Sequence, residues 1–191
     1  MAGVAWAAVA GIGFGLFQSV NRAALRGMDA FASTFLQLLV SAVVLVVASL
    51  ATADLRRLPA APAWAWLSFA AAGLVHFSVG WTLLNLSQQH LGAARTSPLL
   101  ASTPLFGVVL AALTIQELPS ALELAGVGLI VGGVYAVELD RGGRLRRAGG
   151  PARPAVAWTA SLFGLGTALC WAVSPLLIRQ GLRGLPSPLL G

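Results

Sequence analysis

The sequence predicts an all-α polytopic membrane protein, and three observations lead to this prediction. Of the 191 residues, 58% are hydrophobic and only 9% are charged, whereas a soluble domain carries about 25% charged residues. Apolar runs recur along the chain, each close to the roughly 20 residues that a helix needs to cross a hydrocarbon core. Two of these runs, 96–115 and 121–139, are joined by only a few residues, which predicts an antiparallel membrane hairpin.

Six membrane spans are predicted in all. They cover residues 4–25, 30–53, 64–86, 96–115, 121–139 and 156–178. The first span has no basic residue before it and is longer than the apolar core of a signal peptide, so we expect it to be retained as a helix. In the fourth span, Pro98 and Pro104 each remove a backbone donor, which predicts a perturbed helix.

The arginines lie mainly between the apolar runs. The net charge of +6 comes from 12 basic residues, all of them arginine, and their placement favours contact with lipid headgroups over binding to nucleic acid. They are densest in the segment 140–155, which is also rich in Gly and Pro and predicts a connecting loop at a domain boundary. The single cysteine, Cys170, lies inside an apolar run, so neither a disulfide framework nor a thiolate metal site is expected.

A weak internal repeat relates the beginning of the chain to its end. The matched pairs are Gly11 with Gly164, Gly13 with Gly166, Arg26 with Arg179, Gly27 with Gly181 and Ser33 with Ser187. Five predicted spans separate the first copy from the second, and an odd number sends the second copy through the membrane in the opposite direction. The sequence therefore predicts an inverted-topology repeat, which is common among secondary transporters.

Polar residues in the first two spans are candidates for a binding site. Gln18 and Asn21 are three residues apart and share one helix face. Gln37 lies between Ser33 and Ser41 in a stripe with a spacing of four residues. An unsatisfied polar group facing lipid costs several kcal/mol, so these side chains are expected inside the bundle. Two interpretations stay open: substrate binding and hydrogen bonding between helices.

His76 is the most unusual residue, because it lies near the middle of the third span. An ionisable group at membrane depth suggests function, and a side chain with an unperturbed pKa near 6.5 can bind substrate or take up a proton. A neutral histidine hydrogen-bonded within the bundle is the alternative. Trp81, one turn later, could line a pocket or pack in the bundle. In the repeat, Trp171 and Ser174 correspond to Gln18 and Asn21, which makes them candidates as well.

Several motifs resemble those of the EamA family of the drug/metabolite transporter superfamily. The matching residues are Pro104, Leu105 and Phe106 in the fourth span, Gln116 and Glu117 at its end, and Gly126, Gly132 and Gly133 in the fifth. The resemblance implies a ten-helix carrier of amino acids or other small metabolites, often outward. It also implies no cofactor, no metal and no catalytic residues. On this basis residues 1–139 form the first five-helix repeat, 140–155 the connecting loop and 156–191 the truncated start of the second repeat, so that the chain is expected to be a fragment.

The resulting functional expectation is a non-enzymatic secondary transporter in the cell (inner or plasma) membrane. Its expected partners are a small-molecule metabolite, the lipid bilayer and a proton as coupling ion. No serine has a glycine two positions before it, and the six acidic residues are scattered, which disfavours membrane-embedded enzymes. A membrane assembly subunit that transports nothing remains the alternative. Orientation stays open, because the arginine distribution favours an external amino terminus and the family resemblance implies a cytoplasmic one.

Overall fold

A computed structural model of the chain describes residues 2–52, 55–114, 119–147, 158–187 and 190. The residues so described form α-helices and no strand. The helices are α1 (Ala2–Ala24), α2 (Ala30–Thr52), α3 (Ala63–Gly73), α4 (Trp81–Leu91), α5 (Ala93–Leu100), α6 (Thr103–Thr114), α7 (Ala121–Arg147) and α8 (Trp158–Gly184). A π-helix, Leu74–Gly80, joins α3 to α4 without a break, and a short 3-10 turn, Leu55–Arg57, precedes α3.

Four helical stretches of the described chain are long and apolar enough to cross a membrane. They are Ala30–Thr52, Ala63–Leu91, Ala93–Thr114 and Trp158–Gly184, and they correspond to the second, third, fourth and sixth predicted spans. The first predicted span forms α1. The fifth begins as the shorter apolar helix Ala121–Gly133 within α7. The prediction of an all-α polytopic membrane protein is thus confirmed.

Side chains in the links fix where two of these helices begin. Asp29 Oδ1 accepts hydrogen bonds from the backbone N–H groups of Phe31 (2.9 Å) and Ala32 (3.0 Å), and so caps α2. Ser120 and Glu123 form a reciprocal capping box at the start of α7, with Ser120 N 2.7 Å from Glu123 Oε2 and Glu123 N 3.3 Å from Ser120 Oγ. Such caps satisfy N–H groups that have no partner inside the helix.

The fourth span is interrupted, as its prolines predict. Helix α5 ends at Leu100 and α6 begins at Thr103. Pro104 has no N–H with which to bond the carbonyl of Leu100, four residues before it. The hydroxyl of Thr103 donates to that carbonyl instead, at 2.7 Å, and Ser102 Oγ donates to the carbonyl of Leu99 at 2.6 Å. Hydroxyl groups thus satisfy the backbone at the break, as membrane depth requires.

The predicted connecting loop begins as helix. Helix α7 continues to Arg147, so residues 140–147 are helical where a loop was expected. The physical reason is that no proline occurs between Ala121 and Arg147, and nothing in that run removes a backbone donor. Residues 148–157 lie outside the described residues, as do Gln116 and Glu117 of the motif in the preceding turn.

Helix α8 packs against α3, the π-helix, α4, α5 and α6. It runs antiparallel to α3 and α4, because Gly184 lies beside Trp64 at the start of α3 and Gly164 lies beside Ser87 of α4. A Cβ atom at Gly164 would stand 2.5 Å from Leu99 Cδ1, and one at Gly184 would stand 2.8 Å from Trp64 Cη2. Glycine therefore allows the close approach of these helices.

Two glycine pairs with a spacing of four residues, Gly11 with Gly15 and Gly128 with Gly132, favour close helix contact by their sequence, but no such contact occurs at them within the described chain. A Cβ atom added at Gly11, Gly15, Gly128 or Gly132 would have no described neighbour within 4 Å. The spacing of four residues places each pair on one helix face. It does not supply a neighbouring helix to meet that face.

Candidate functional site

Five amide side chains from three helices meet inside the bundle, and we call them the amide cluster: Gln18, Asn21, Gln37, Asn85 and Gln88. Asn21 Nδ2 donates to Asn85 Oδ1 at 2.8 Å and to Gln88 Oε1 at 3.1 Å. Gln37 Nε2 donates to Asn21 Oδ1, and Gln88 Nε2 donates to Gln18 Oε1. The cluster therefore joins α1, α2 and α4 through side chains alone.

Two hydroxyl groups of α2, those of Thr34 and Ser33, accept hydrogen bonds from the amide cluster. Asn85 Nδ2 donates to Thr34 Oγ1 at 2.9 Å, and Gln37 Nε2 also reaches Ser33 Oγ at 3.2 Å. Asn85 is fully buried and Asn21 is 2% exposed. Because a buried amide without partners is costly, these bonds are what permits five such groups at this depth. Each interhelical hydrogen bond in a membrane is worth about 0.6 kcal/mol on average.

A second group, which we call the aromatic cluster, lies deeper in the bundle. Its members come from α1, the π-helix, α4 and α8 and are Phe14, Phe17, His76, Phe77, Trp81 and Trp171. The rings of His76 and Trp171 are stacked, with centroids 5.4 Å apart and an interplanar angle of 13°. Trp81 contacts Phe17 of α1 with centroids 5.3 Å apart. The cluster thus links α8 to the helices that carry the amide cluster.

His76 is tied to α8 by a hydrogen bond as well as by stacking. Its Nδ1 lies 2.6 Å from Oγ of Ser174, which is fully buried. His76 is part of the π-helix and lies close to the middle of the 29-residue helical stretch Ala63–Leu91. Short π-helical segments occur frequently at functional sites. The bond connects two residues 98 positions apart in the sequence, at mid-depth in the bundle.

The indole nitrogen of Trp171 is buried, and it has no hydrogen-bond partner within the described part of the chain. It faces the backbone of Gly80, where a Cβ atom would stand 3.0 Å from Nε1. Glycine at position 80 leaves the space that the indole ring occupies. The carbonyl of Gly80 instead accepts a hydrogen bond from Thr167 Oγ1 of α8 at 3.2 Å. Buried polar groups normally have a hydrogen-bond partner, so this N–H donor is an exception within the described chain.

Most of the sequence matches a known protein family. Residues 1–139 match the model of the EamA-like transporter family. The chain belongs to that family. EamA is generally a family of transporters and is part of the drug/metabolite transporter superfamily. No curated protein and no solved structure matches the chain.

Within this EamA-family chain, the seven candidate residues from the sequence fall into neighbouring groups. Gln18, Asn21 and Gln37 belong to the amide cluster, and Trp81, His76 and Trp171 belong to the aromatic cluster, with Ser174 bonded to His76. Substrate binding by these residues stays a prediction. The family match covers the first five of them in chain order, whereas Trp171 and Ser174 lie beyond residue 139 on α8.

Sequence analysis did not select Asn85 and Gln88, which complete the amide cluster. A signal for them was present, since they are three residues apart and share a helix face in the same way as Gln18 and Asn21. Among the described residues no group of three or more His, Cys, Asp or Glu side chains could hold a metal ion. The amide cluster and the aromatic cluster offer neutral amides, aromatic rings and the imidazole of His76 with its hydroxyl partner.

Proposed function

We propose that this EamA-family chain transports small metabolites, amino acids or related compounds, out of the cell across the inner or plasma membrane. It does so as a secondary carrier and not as an enzyme. Two sets of polar contacts between helices support this most: the amide cluster, and the bond between His76 and Ser174. In both sets, polar groups of separate helices face one another instead of facing lipid. A carrier needs such groups near the bilayer midplane.

The substrate is held at the aromatic cluster in this proposal. Trp171 Nε1 donates to a carboxylate or carbonyl oxygen of the substrate, since it has no acceptor among the described residues. His76 and Ser174 offer a second polar contact beside it. The rings of Trp81 and Phe17 flank the apolar part of the substrate. Apolar surfaces with a few placed polar groups are the usual composition of small-molecule sites.

Alternating access requires the amide cluster to open and close. Its hydrogen bonds join α1 to α4 and α2 at one end of the bundle, so the described state is closed there. Bonds of about 0.6 kcal/mol each can be exchanged for contacts to substrate or water. Helix α4 runs parallel to α1, its partner across the amide cluster. Helix α8 runs antiparallel to α4 and is therefore antiparallel to α1 as well. These opposite directions of α1 and α8 support an inverted repeat. Rocking of one repeat against the other is a common mechanism in such carriers.

Coupling to protons is assigned to His76 in this proposal. Protonation at His76 adds a positive charge at mid-depth and changes the donor and acceptor roles in its bond to Ser174. An inward proton movement would then accompany outward substrate movement. If this is right, an imposed pH gradient accelerates transport by the native chain and leaves a His76→Gln variant unaffected.

Transport in proteoliposomes tests the site directly. Vesicles are loaded with radiolabelled amino acids, and efflux is compared for the native chain, His76→Ala, Gln18→Ala and the control Ser19→Ala. Ser19 is a matched control because it is exposed on the same helix as Gln18, and among the described residues its hydroxyl bonds only the Gly15 carbonyl of its own helix, at 3.3 Å. We expect rates about tenfold lower in His76→Ala and Gln18→Ala, and within twofold of native in the control. Native kinetics in both site variants would remove these residues from the substrate path.

A membrane assembly subunit is the second candidate. It is favoured by one observation, the mutual satisfaction of the amide side chains, which is also what a purely structural contact between helices requires. The two candidates differ in one readout. Folded protein that releases no compound of the panel faster than empty vesicles would support the assembly role.

A further inference from the structure

A polar pocket opens at the end of the bundle next to the amide cluster. Its volume is about 310 Å³. One wall comes from the end of α1 and the residues after it, and the other from the end of α4. The lining residues are Arg22, Leu25, Arg26, Gln88, Gln89, His90, Leu91 and Gly92. Two guanidinium groups and no carboxylate border this space, so its electrostatic character is positive.

The arginines of this pocket are not neutralised within the described chain. Neither Arg22 nor Arg26 forms an ion pair with a described carboxylate. Asp29 is nearby in sequence, but its Oδ1 accepts from the backbone N–H groups of Phe31 and Ala32 as the cap of α2. An arginine side chain presents several N–H donors in a planar fork that matches a carboxylate or phosphate group. Two such forks line one pocket here, and together they can bind an anion.

The opposite wall is shaped by Gly92, which has a φ of +76° at the turn between α4 and α5. Only glycine adopts this conformation without strain. The position reserved for a Cβ atom lies 3.6 Å from Arg22 Nη2, so the bare backbone of Gly92 lies directly against that guanidinium group. The turn thereby fixes the side of the pocket that faces the arginine.

The floor of the pocket is Gln88, which is 4% exposed. Its Nε2 carries two N–H donors. One of them goes to Gln18 Oε1, and the other meets no acceptor among the described residues. Gln88 thus lines the same space as the two arginines while its side chain is almost fully buried. Because Gln88 also accepts from Asn21 Nδ2 at 3.1 Å, a ligand here would contact a member of the amide cluster.

We propose that this pocket binds an oxyanion, either a carboxylate or a phosphate group, between the guanidinium groups of Arg22 and Arg26. Its oxygens accept hydrogen bonds from both arginines and from Gln88 Nε2. The site stands on its own observations and does not require the transport proposal. The oxyanion has two possible sources with the same chemistry: a free anion in solution, and the headgroup of an anionic lipid, since basic pockets at the ends of membrane helices bind such headgroups.

Two binding measurements on the purified chain in a neutral detergent test the proposal. Inorganic phosphate is titrated in a calorimeter at low ionic strength, and phosphatidylglycerol is compared with phosphatidylcholine by native mass spectrometry. Both are repeated with Arg22→Gln, Arg26→Gln and the control Arg183→Gln. Arg183 is a matched control because it is exposed and donates to Gln180 Oε1 at 3.2 Å. It lies in the last turn of α8, at the other end of this helix from the part that contacts α4.

We expect each pocket variant to weaken binding about tenfold, since each one removes a charge-assisted hydrogen bond to the oxyanion. The control is expected to stay within twofold of native. Phosphate binding lost in the pocket variants identifies a free oxyanion as ligand, and loss confined to phosphatidylglycerol identifies a lipid headgroup. The proposal is overturned if the native chain binds neither phosphate nor phosphatidylglycerol. It is also overturned if Arg183→Gln weakens binding as much as the pocket variants do. Should Arg22→Gln fail to fold, Arg26→Gln alone decides, with its thermal unfolding midpoint compared with that of native protein.

Discussion

Helices α1 and α8 are aligned by the repeat that the sequence predicts, and yet they occupy different environments. Helix α8 lies against five other helical segments, and its Gly164 and Gly181 would place a Cβ atom 2.5 Å from Leu99 Cδ1 and 2.8 Å from the ring of Phe69. The matching Gly11 of α1 has no described neighbour within 4 Å. The same residue type at equivalent positions is therefore required by packing in one helix and unconstrained in the other.

The polar residues of the two helices differ in the opposite sense. Asn21 of α1 takes part in three hydrogen bonds, with Asn85, Gln88 and Gln37. The equivalent Ser174 of α8 makes one short bond, to His76, and a longer one of 3.5 Å to the carbonyl of Trp171. Thus α1 is held mainly by side-chain hydrogen bonds, whereas α8 is held mainly by close backbone approach. Two pairs of variants and one single variant test this contrast.

The largest effect is expected from adding bulk at the equivalent glycines. Gly164→Val should lower the free energy of unfolding by about 3 kcal/mol, because the new side chain overlaps Leu99 and overpacking of this kind destabilises a core. Gly11→Val should change it by less than about 0.5 kcal/mol. Unfolding is followed by helical circular dichroism while dodecyl sulfate is titrated into dodecyl maltoside micelles. Equal losses in the two variants would end the contrast.

An intermediate effect is expected from removing the equivalent polar groups. Asn21→Ala should cost about 2 kcal/mol, since three interhelical hydrogen bonds of about 0.6 kcal/mol each are lost. Ser174→Ala should cost about 0.6 kcal/mol, for the single bond to His76. The same micelle titration measures both. A larger loss for Ser174→Ala than for Asn21→Ala would show that the amide cluster does not hold α1.

Only a small change in stability is expected from Trp171→Phe. This substitution keeps an aromatic ring beside His76 and removes an N–H group that meets no acceptor in the described chain. The free energy of unfolding should fall by less than about 1 kcal/mol. In the transport assay, KM for the transported amino acid should rise severalfold, because the proposed donor to substrate is gone. An unchanged KM would exclude Trp171 Nε1 as that donor.

Sequence reasoning succeeded where local chemistry decides the structure. Apolar length gave the spans, and the two prolines gave the break between α5 and α6, because Pro104 cannot bond the carbonyl of Leu100. It also selected Asn21 and His76 as interior groups, since the cost of a polar side chain in lipid is independent of the fold.

Sequence reasoning failed where a neighbour decides the structure. The four-residue spacing of Gly11 and Gly15 is the same with or without a helix beside it, and none of the described residues lies within 4 Å. The partners of Asn21 on α4 could not be assigned, because Asn85 and Gln88 are more than sixty positions away. The π-helix was not expected either. The π-helix contains no proline, and Gly73 and Gly80 at its two ends do not by themselves indicate a wider turn.

The wide turn of this π-helix determines the direction in which the side chains of the following helix, α4, point. Hydrogen bonds there close five residues apart and not four, so Leu74–Gly80 holds more residues per turn than the α-helices on either side. The azimuth of α4 is shifted relative to α3 as a result. Within one continuous helical stretch, His76 then faces α8 while Asn85 faces α1 and α2. Deleting a single residue from the π-helix would rotate the helix that follows by close to a quarter-turn. The amide side chains of α4 would then point away from their partners.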